Sequence, residues 1–497
     1  MAESNTGHPK GLYLLFFTEM WERFSYYGMR ALLILYMTKA LMMDKALSSN
    51  IYGNYTSLVY LTPLLGGYIA DRYWGNRKSI LVGGILMALG QLALFFSGHF
   101  YTEQGLSLNF FYAGLGLLIL GNGFFKPNIS TMVGSLYAPN DRRKDAAFTI
   151  FYMGINLGAF FAPLVCGALG ETGDPADFKW GFLAAGVGMV IGIILFESMK
   201  NKYIVTSEGV PIGMVPAKKD MNPETTLKDE PLTRNDWERI AVIFILAVFV
   251  IAFWSAFEQA GASLTFFADE QTNRDLFGWT MPASYFQSVN PIAIFIFAPL
   301  FAWLWVKLGA RGKEPSSPLK MAIGLMLLSL GYVVIAAGVK GVDDGVKISM
   351  LWLLGMYVLH TFGELCVSPI GLSMVTKLAP IKFASLLMGV WFLSNAASNK
   401  LAGVLSGLYP PGAGEAKKAA EAGIDLNAVL NKTLNATDDQ LVKLKDLSIP
   451  HEWPSLFGYQ ITTLYDFFMI FVVMSAVASI ILFLTYRQLL KMMHGRD

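Results

Sequence analysis

Apolar runs of about 20 to 30 residues, separated by polar stretches, recur along nearly all of this 497-residue chain. Runs long enough to cross about 30 Å of hydrocarbon lie near 11–38, 51–70, 79–98, 108–133, 146–169 and 180–199. They resume near 238–267, 283–307, 319–339, 349–376, 384–407 and 463–487. Each predicts a membrane-spanning helix, because a helix satisfies its own backbone N–H and C=O groups where lipid offers no partner. The pattern therefore predicts an all-α membrane protein with about twelve spans. Six fall in an N-terminal half at 1–199 and six in a C-terminal half at 237–497. Between them, 200–236 is rich in Lys, Asp, Glu and Pro and reads as a linker. The connection at 409–461 is long enough for short amphipathic helices around 415–447.

The first apolar run breaks the pattern. Glu19, Glu22, Arg23 and Arg30 lie inside it, with Tyr26 and Tyr27 between the arginines. At helical spacing Glu19, Glu22, Arg23, Tyr26 and Arg30 share one face, while Leu14, Trp21 and Phe24 point elsewhere. An ionised side chain at mid-bilayer costs about 2.5–3.5 kcal/mol on the insertion scale. Four on one stripe require a protein interior or a wet cavity. Further buried charges are expected in spans 4, 7 and 10, at Lys126, Glu258 and Glu364. If all seven are ionised, four negatives face three positives. One excess negative charge in a low-dielectric site favours a carboxyl that holds a proton, with Glu22 and Glu19 the leading candidates. Glu19 and Arg23, spaced i,i+4, can pair within the helix and leave Glu22 to titrate. His360, one turn before Glu364, reads as a neutral hydrogen-bonded histidine rather than a proton carrier.

Composition supports this picture. Charged residues make up 15% of the chain, against about 25% in a typical soluble protein, and mean hydropathy is +0.47. A net charge of +2, with basic residues scattered over short loops, does not suggest a nucleic-acid partner. Cys166 and Cys366 lie in apolar runs and read as small buried hydrophobes, so neither a disulfide framework nor a metal site is expected. With both termini on one side, that side collects about 23 basic residues against about 11 opposite. The positive-inside rule then places both termini and the linker in the cytoplasm and 409–461 outside.

The halves echo one another. Glu258 follows Glu22 by 236 residues, Glu364 follows Lys126 by 238, and the run Gly309, Ala310, Arg311 follows Gly75, Asn76, Arg77 by 234. Duplicated halves that rock about a midplane site are a standard transporter design. A Lys126–Glu364 pair and an Arg30–Glu258 pair would serve as gate latches between the halves, and Lys400 and Asp466 would form a structural pair. Pro127, directly after Lys126, loosens its span where bending would open a gate.

These residues resemble a known family. EMWERFSYYG at 19–28 looks like the ExxER signature of the proton-coupled oligopeptide transporters, a branch of the major facilitator superfamily. GGYIADRYWGNRK at 66–78 is similar to the superfamily's loop after span 2, and FYMGINLGAFFAP at 151–163 to the family's second signature. FWSAFEQAGASL (253–264), QSVNPIAIFIFAP (287–299) and GELCVSPIGLS (363–373) resemble its spans 7, 8 and 10. The resemblance covers nearly the whole chain and implies the major facilitator fold. It implies proton coupling at Glu19, Glu22, Arg23 and Glu258. Arg30 and Lys126 would meet a peptide carboxylate, Glu364 its ammonium, and Tyr26, Tyr27, Tyr60, Asn156, Trp254, Asn290 and Trp391 would line the pocket. A zwitterion needs a cationic clamp and a carboxylate, while aromatics and amides accept varied side chains. Two departures stand out: 200–235 has no room for two extra helices found in many bacterial members, and Gly53 stands where animal members carry a proton-handling histidine.

The expected protein is a symporter that imports di- and tripeptides with protons by alternating access. It would work as a monomer in a bacterial cytoplasmic (inner) membrane, with no cofactor. The main rival is a relative carrying nitrate or another small organic anion, against which Glu364 argues, since a simple anion has no ammonium. An intramembrane enzyme is not expected, because the chain lacks HExxH and GxSxG and has only five histidines.

Overall fold

The computed structural model describes residues 7–138, 141, 143–206, 209–215, 232–343, 345–380 and 383–496. Most of the expected linker, 216–231, lies outside the described residues. Among the described residues twelve helices of 21 residues or more follow one another: α1 (Lys10–Lys39), α2 (Lys45–Ile69), α3 (Gly75–His99), α4 (Gln104–Ser135), α5 (Arg143–Gly170) and α6 (Phe178–Tyr203), then α7 (Arg234–Phe257), α9 (Val289–Gly309), α10 (Ser317–Val339), α11 (Met350–Leu378), α12 (Ala384–Ser406) and α16 (Leu464–Met493). Short helices fill two connections: α8 (Ser263–Glu270), and α13 (Ala413–Glu421), α14 (Leu426–Leu430) and α15 (Asp438–Asp446). Nine stretches among the described residues are long and apolar enough to cross a membrane, one of them carrying both α2 and α3. The charges of α1 keep it out of that set, and α12 also lies outside it.

Local chemistry sets the ends of several helices. Thr233 and Asp236 form a reciprocal capping box at the start of α7, and Thr463 and Asp466 do the same for α16. Asp466 also accepts from Tyr459 and Thr462. The expected Lys400–Asp466 pair does not form: Lys400 donates to the side-chain oxygen of Asn54 at 2.6 Å, and Asp466 is committed to the cap it completes.

The described chain divides into two compact units, Met1–Leu32 with Leu58–Asp229, and Leu33–Ser57 with Glu230–Asp497. Each is seamed by glycines. In the first, Gly83 and Gly90 of α3 face Gly121 and Gly114 of α4 so closely that a Cβ at Gly121 would press on the Gly83 carbonyl and the Met87 side chain. In the second, Gly324 and Gly331 of α10 face Gly363 and the ring of His360 on α11. Small residues at such seams let backbones approach where no hydrophobic effect drives helices together. The seams also set the register of the repeat. Gly324 follows Gly83 by 241 residues and Gly363 follows Gly121 by 242. Glu364 therefore matches Asn122, one helical turn before the Lys126 suggested by matching charges.

Also in the first unit, Arg77 is buried and clasps the start of the linker region. Its guanidinium donates to the carbonyls of Ile212 at 2.6 Å and Ile204 at 2.5 Å, and to Asn201 Oδ1 at 2.7 Å. In the second, the 409–461 connection has its own apolar core of Ala419, Ile424, Leu426, Val429, Leu430, Leu444 and Ile449.

Candidate functional site

In the first unit the charged face of α1 is buried: Glu19, Glu22, Arg23, Tyr26 and Arg30 are all 8% exposed or less. Gly158 of α5 makes this possible, since a Cβ there would collide with the Met20 carbonyl and press on Arg23. Arg23 stands between two carboxylates, its Nε 2.9 Å from Glu19 and 2.5 Å from Glu22. The i,i+4 pair expected from spacing is present, but it does not leave Glu22 aside; one guanidinium serves both, and the trio carries one net negative charge. The contacts are electrostatic rather than well-aimed hydrogen bonds. Glu19 Oε2, Glu22 Oε2, Arg23 Nε and Arg23 Nη2 have no hydrogen-bond partner among the described residues.

Other elements complete the cluster. Asn122 of α4 donates from Nδ2 to Glu22 Oε1 at 3.1 Å. Lys126, one turn further on, is within electrostatic reach of Glu19 and Glu22, and its Nζ lies 4.5 Å from the centre of the Tyr60 ring. Arg30 lies over Tyr27 at 5.7 Å and Arg23 over Tyr26 at 5.6 Å, distances at which a ring face attracts a cation. Asn156 is buried and donates to the Tyr152 carbonyl of its own helix at 3.0 Å. Asn122 is the residue of this cluster that sequence reasoning missed. An asparagine in an apolar run one turn before a lysine was its only signal.

The second unit has a matching construction. Asn290 of α9 donates to Glu364 Oε2 at 2.7 Å and to Thr361 Oγ1 at 3.1 Å, tying the buried Glu364 to α9. His360 is buried against Tyr332, with ring centres 4.7 Å apart, and its Nε2 has no hydrogen-bond partner among the described residues. That environment suits the neutral ring expected.

The seventh span is not one helix. α7 stops at Phe257, a 3₁₀ turn covers Glu258–Gly261, and α8 resumes at Ser263. Glu258 sits at the break, which the sequence signalled only through Gly261. The freed backbone is re-satisfied by side chains: Tyr332 Oη donates to the Ala256 carbonyl at 2.6 Å and Gln259 Nε2 to the Ser255 carbonyl at 3.0 Å, while the same Nε2 reaches the Ala402 carbonyl of α12 at 3.0 Å. Broken spanning helices of this kind line substrate and ion sites in transporters. Trp254 packs edge-on against Phe257, and Trp391 on α12 is buried. The expected gate pairs Arg30–Glu258 and Lys126–Glu364 each take one residue from either unit.

The second unit also contains a packed seam between Leu33–Ser57 and the rest of that unit. Lys39 meets Asp269 at 2.7 Å, and Lys45 meets both Glu270 at 2.8 Å and Glu415 at 2.6 Å. Ser49 and Ser406 share a hydrogen bond of 2.9 Å, and Gly53 abuts Gly403 so closely that a Cβ at Gly53 would strike its Cα. A side chain as large as histidine has no space there. Glu415 lies beyond the spans. Burial opposes its ionisation, but Lys45 and the N–H of Gly412 prevail and hold its carboxyl below the usual glutamate range. A depressed folded value means the contact stabilises the fold above the ordinary glutamate pKa of about 4.3. It is lost only as pH falls through the lower folded value. Glu415→Gln is therefore expected to lower the thermal unfolding midpoint equally at pH 7 and pH 5, for a loss of about 1.5–3 kcal/mol. Equal midpoints for both proteins at pH 5 would show that Glu415 is already protonated there.

Among the described residues, twelve long helices, with glycine seams in each unit and buried charges on α1 and α11, define a multi-pass membrane protein of the major facilitator type. The chain belongs to the POT family, whose sequence profile matches residues 77–212 and 230–419. Peptide transporter YePEPT of Yersinia enterocolitica is 35% identical over 458 residues, covering 81% of this chain and 88% of that protein. A di-/tripeptide transporter of Lactococcus lactis subsp. cremoris is 33% identical over 454 residues, covering 80% and 88%. Among solved structures, a peptide transporter POT in complex with alafosfalin superposes with a TM-score of 0.77 at 32% identity, over 99% of this chain and 97% of that one. These relatives and neighbours are transporters, and the chain is not an enzyme.

Proposed function

We propose that the protein is a proton-coupled symporter that carries di- and tripeptides into the cytoplasm by alternating access. The observation that carries this reading is the pair of buried sites of opposite character. One is a carboxylate–arginine trio beside two further cations, Arg30 and Lys126; the other is a carboxylate held by an amide, Glu364 on Asn290. A zwitterionic peptide has a carboxylate for Arg30 and Lys126 and an ammonium for Glu364, with Tyr26, Tyr27, Tyr60, Asn156, Trp254, Asn290 and Trp391 around its side chains. Relatives named as peptide and di-/tripeptide transporters support the same substrate class. The anion rival is disfavoured because it leaves Glu364 without a task.

In the proposed cycle Glu22, or Glu258, takes a proton from outside. Arg23 or Arg30 is then released towards the peptide carboxylate, and the ammonium settles on Glu364. Arg30–Glu258 and Lys126–Glu364 act as the outer and inner latches as the six-helix halves, 1–199 and 237–497, rock. The distribution of basic residues supports both termini on the cytoplasmic side of a bacterial inner membrane.

Proteoliposomes given labelled dialanine supply the direct test. Uptake is expected to exceed equilibrium only when the lumen is alkaline relative to the bath. Indifference to the gradient would remove the symport claim, and absence of dipeptide uptake would favour the anion rival.

A further inference from the structure

We propose that Asn122 is the positioning residue of the proton switch. Its amide turns over between the two protonation states of Glu22, donating to the carboxylate and accepting from the carboxylic acid. The inference rests on the reading of Glu22 as the proton site.

Asn122 is 1% exposed and Glu22 is fully buried, so water does not satisfy either. In the structure Nδ2 of Asn122 donates to Glu22 Oε1, whereas Oδ1 of the same amide is buried with no hydrogen-bond partner among the described residues. A buried acceptor without a partner is costly and needs an explanation. Protonation provides one. A carboxylate only accepts, but a carboxylic acid gains an O–H that must find an acceptor. The described side chains that hydrogen-bond or ion-pair with Glu22 are Asn122 and Arg23. Arg23 can only donate, so of these two partners Asn122 is the one able to accept from the protonated acid. A half-turn of the amide exchanges Nδ2 for the idle Oδ1 and meets that need without moving the helix. Gly121 and Gly123 flank the residue, and their close contacts with Gly83 and Thr62 fix α4 in place while the side chain turns.

The titratable and charged groups facing Glu22 within its unit are Glu19 and Arg23 on α1 and Lys126 on α4, with Tyr26 and Tyr27 beside Arg23. Each of them either only donates, carries charge that changes the balance, or lies against the arginine. A neutral group able to both donate and accept lets Glu22 titrate with little preference for either state. The position matching Asn122 in the repeat is Glu364, which also sits in a carboxylate–amide pair, with the roles exchanged and Asn290 of α9 as its partner.

The test uses gradient-driven uptake and peptide counterflow by the full-length protein in proteoliposomes. Asn122→Ala is expected to cut gradient-driven accumulation roughly tenfold while counterflow persists. Asn122→Asp, which adds a like charge, is expected to move the pH profile of uptake upward by about a unit or more. Asn122→Ser, whose hydroxyl both donates and accepts, is expected to restore accumulation and the wild-type profile. Unchanged accumulation in Asn122→Ala with an unmoved profile in Asn122→Asp would overturn the proposal, as would loss of counterflow in all three variants. Glu22→Gln run alongside separates the two claims: if it stays coupled, the reading of Glu22 fails, and if it uncouples while the Asn122 variants behave as wild type, only this proposal fails.

Discussion

Glu22→Gln is expected to abolish accumulation of peptide against a gradient while leaving exchange of peptide for peptide intact. The glutamine keeps the size of the buried side chain and can still bond to Asn122, but it cannot gain or lose a proton. Arg23 then faces Glu19 alone, as it would when Glu22 is protonated, so the variant mimics the loaded state throughout the cycle. Accumulation ratios in proteoliposomes with an alkaline lumen should fall to about one, whereas counterflow, which needs only the peptide-bound steps, should stay within a few-fold of wild type. Retained accumulation would move the coupling site elsewhere, with Glu258 at the break after α7 next in order.

Glu364→Gln is expected to have the second large effect, on affinity. Asn290, itself bonded to Thr361, holds the wild-type carboxylate in one orientation, so no reorganisation is needed when an ammonium arrives. Removing one partner of a buried charge pair costs about 2–4 kcal/mol, a weakening of roughly 30- to 700-fold. The KM for dialanine in counterflow should rise accordingly. A peptide with its amino group acetylated, already lacking the ammonium, should lose little further. If both substrates weaken equally, Glu364 does not meet the ammonium.

Much of this was legible in the chain because the bilayer is so restrictive a solvent. Twelve spans follow from the length of the apolar runs, and the buried stripe of α1 follows from the cost of placing Glu19, Glu22, Arg23 and Arg30 against lipid. Other features involve partners distant in sequence. Spacing paired Glu19 with Arg23 correctly, yet gave no sign that the Arg23 guanidinium also bends back to its neighbour Glu22. Matching charges set the repeat one turn off, because register is decided by where backbones touch, at Gly83 and Gly121 and at Gly324 and Gly363. The break at Glu258 was hidden because Glu258, Gln259 and Ala260 all favour helix, leaving Gly261 as its one signal in the sequence. Tyr332, from elsewhere in the fold, and Gln259, across the turn, satisfy the freed carbonyls of Ala256 and Ser255.

By itself, then, the sequence determined the class of protein, the number of spans and the charged residues that had to face inward, since each follows from the local free energy of moving a segment from water into lipid. Tertiary structure decided which partner each buried polar group would take: Asn122 for Glu22, Asn290 for Glu364, Glu415 and Glu270 for Lys45, Asn54 for Lys400. Such pairings depend on the close approach of helices far apart in the chain, and a hydrogen bond forms or fails over a few tenths of an ångström. No periodicity along a single strand of sequence carries that information.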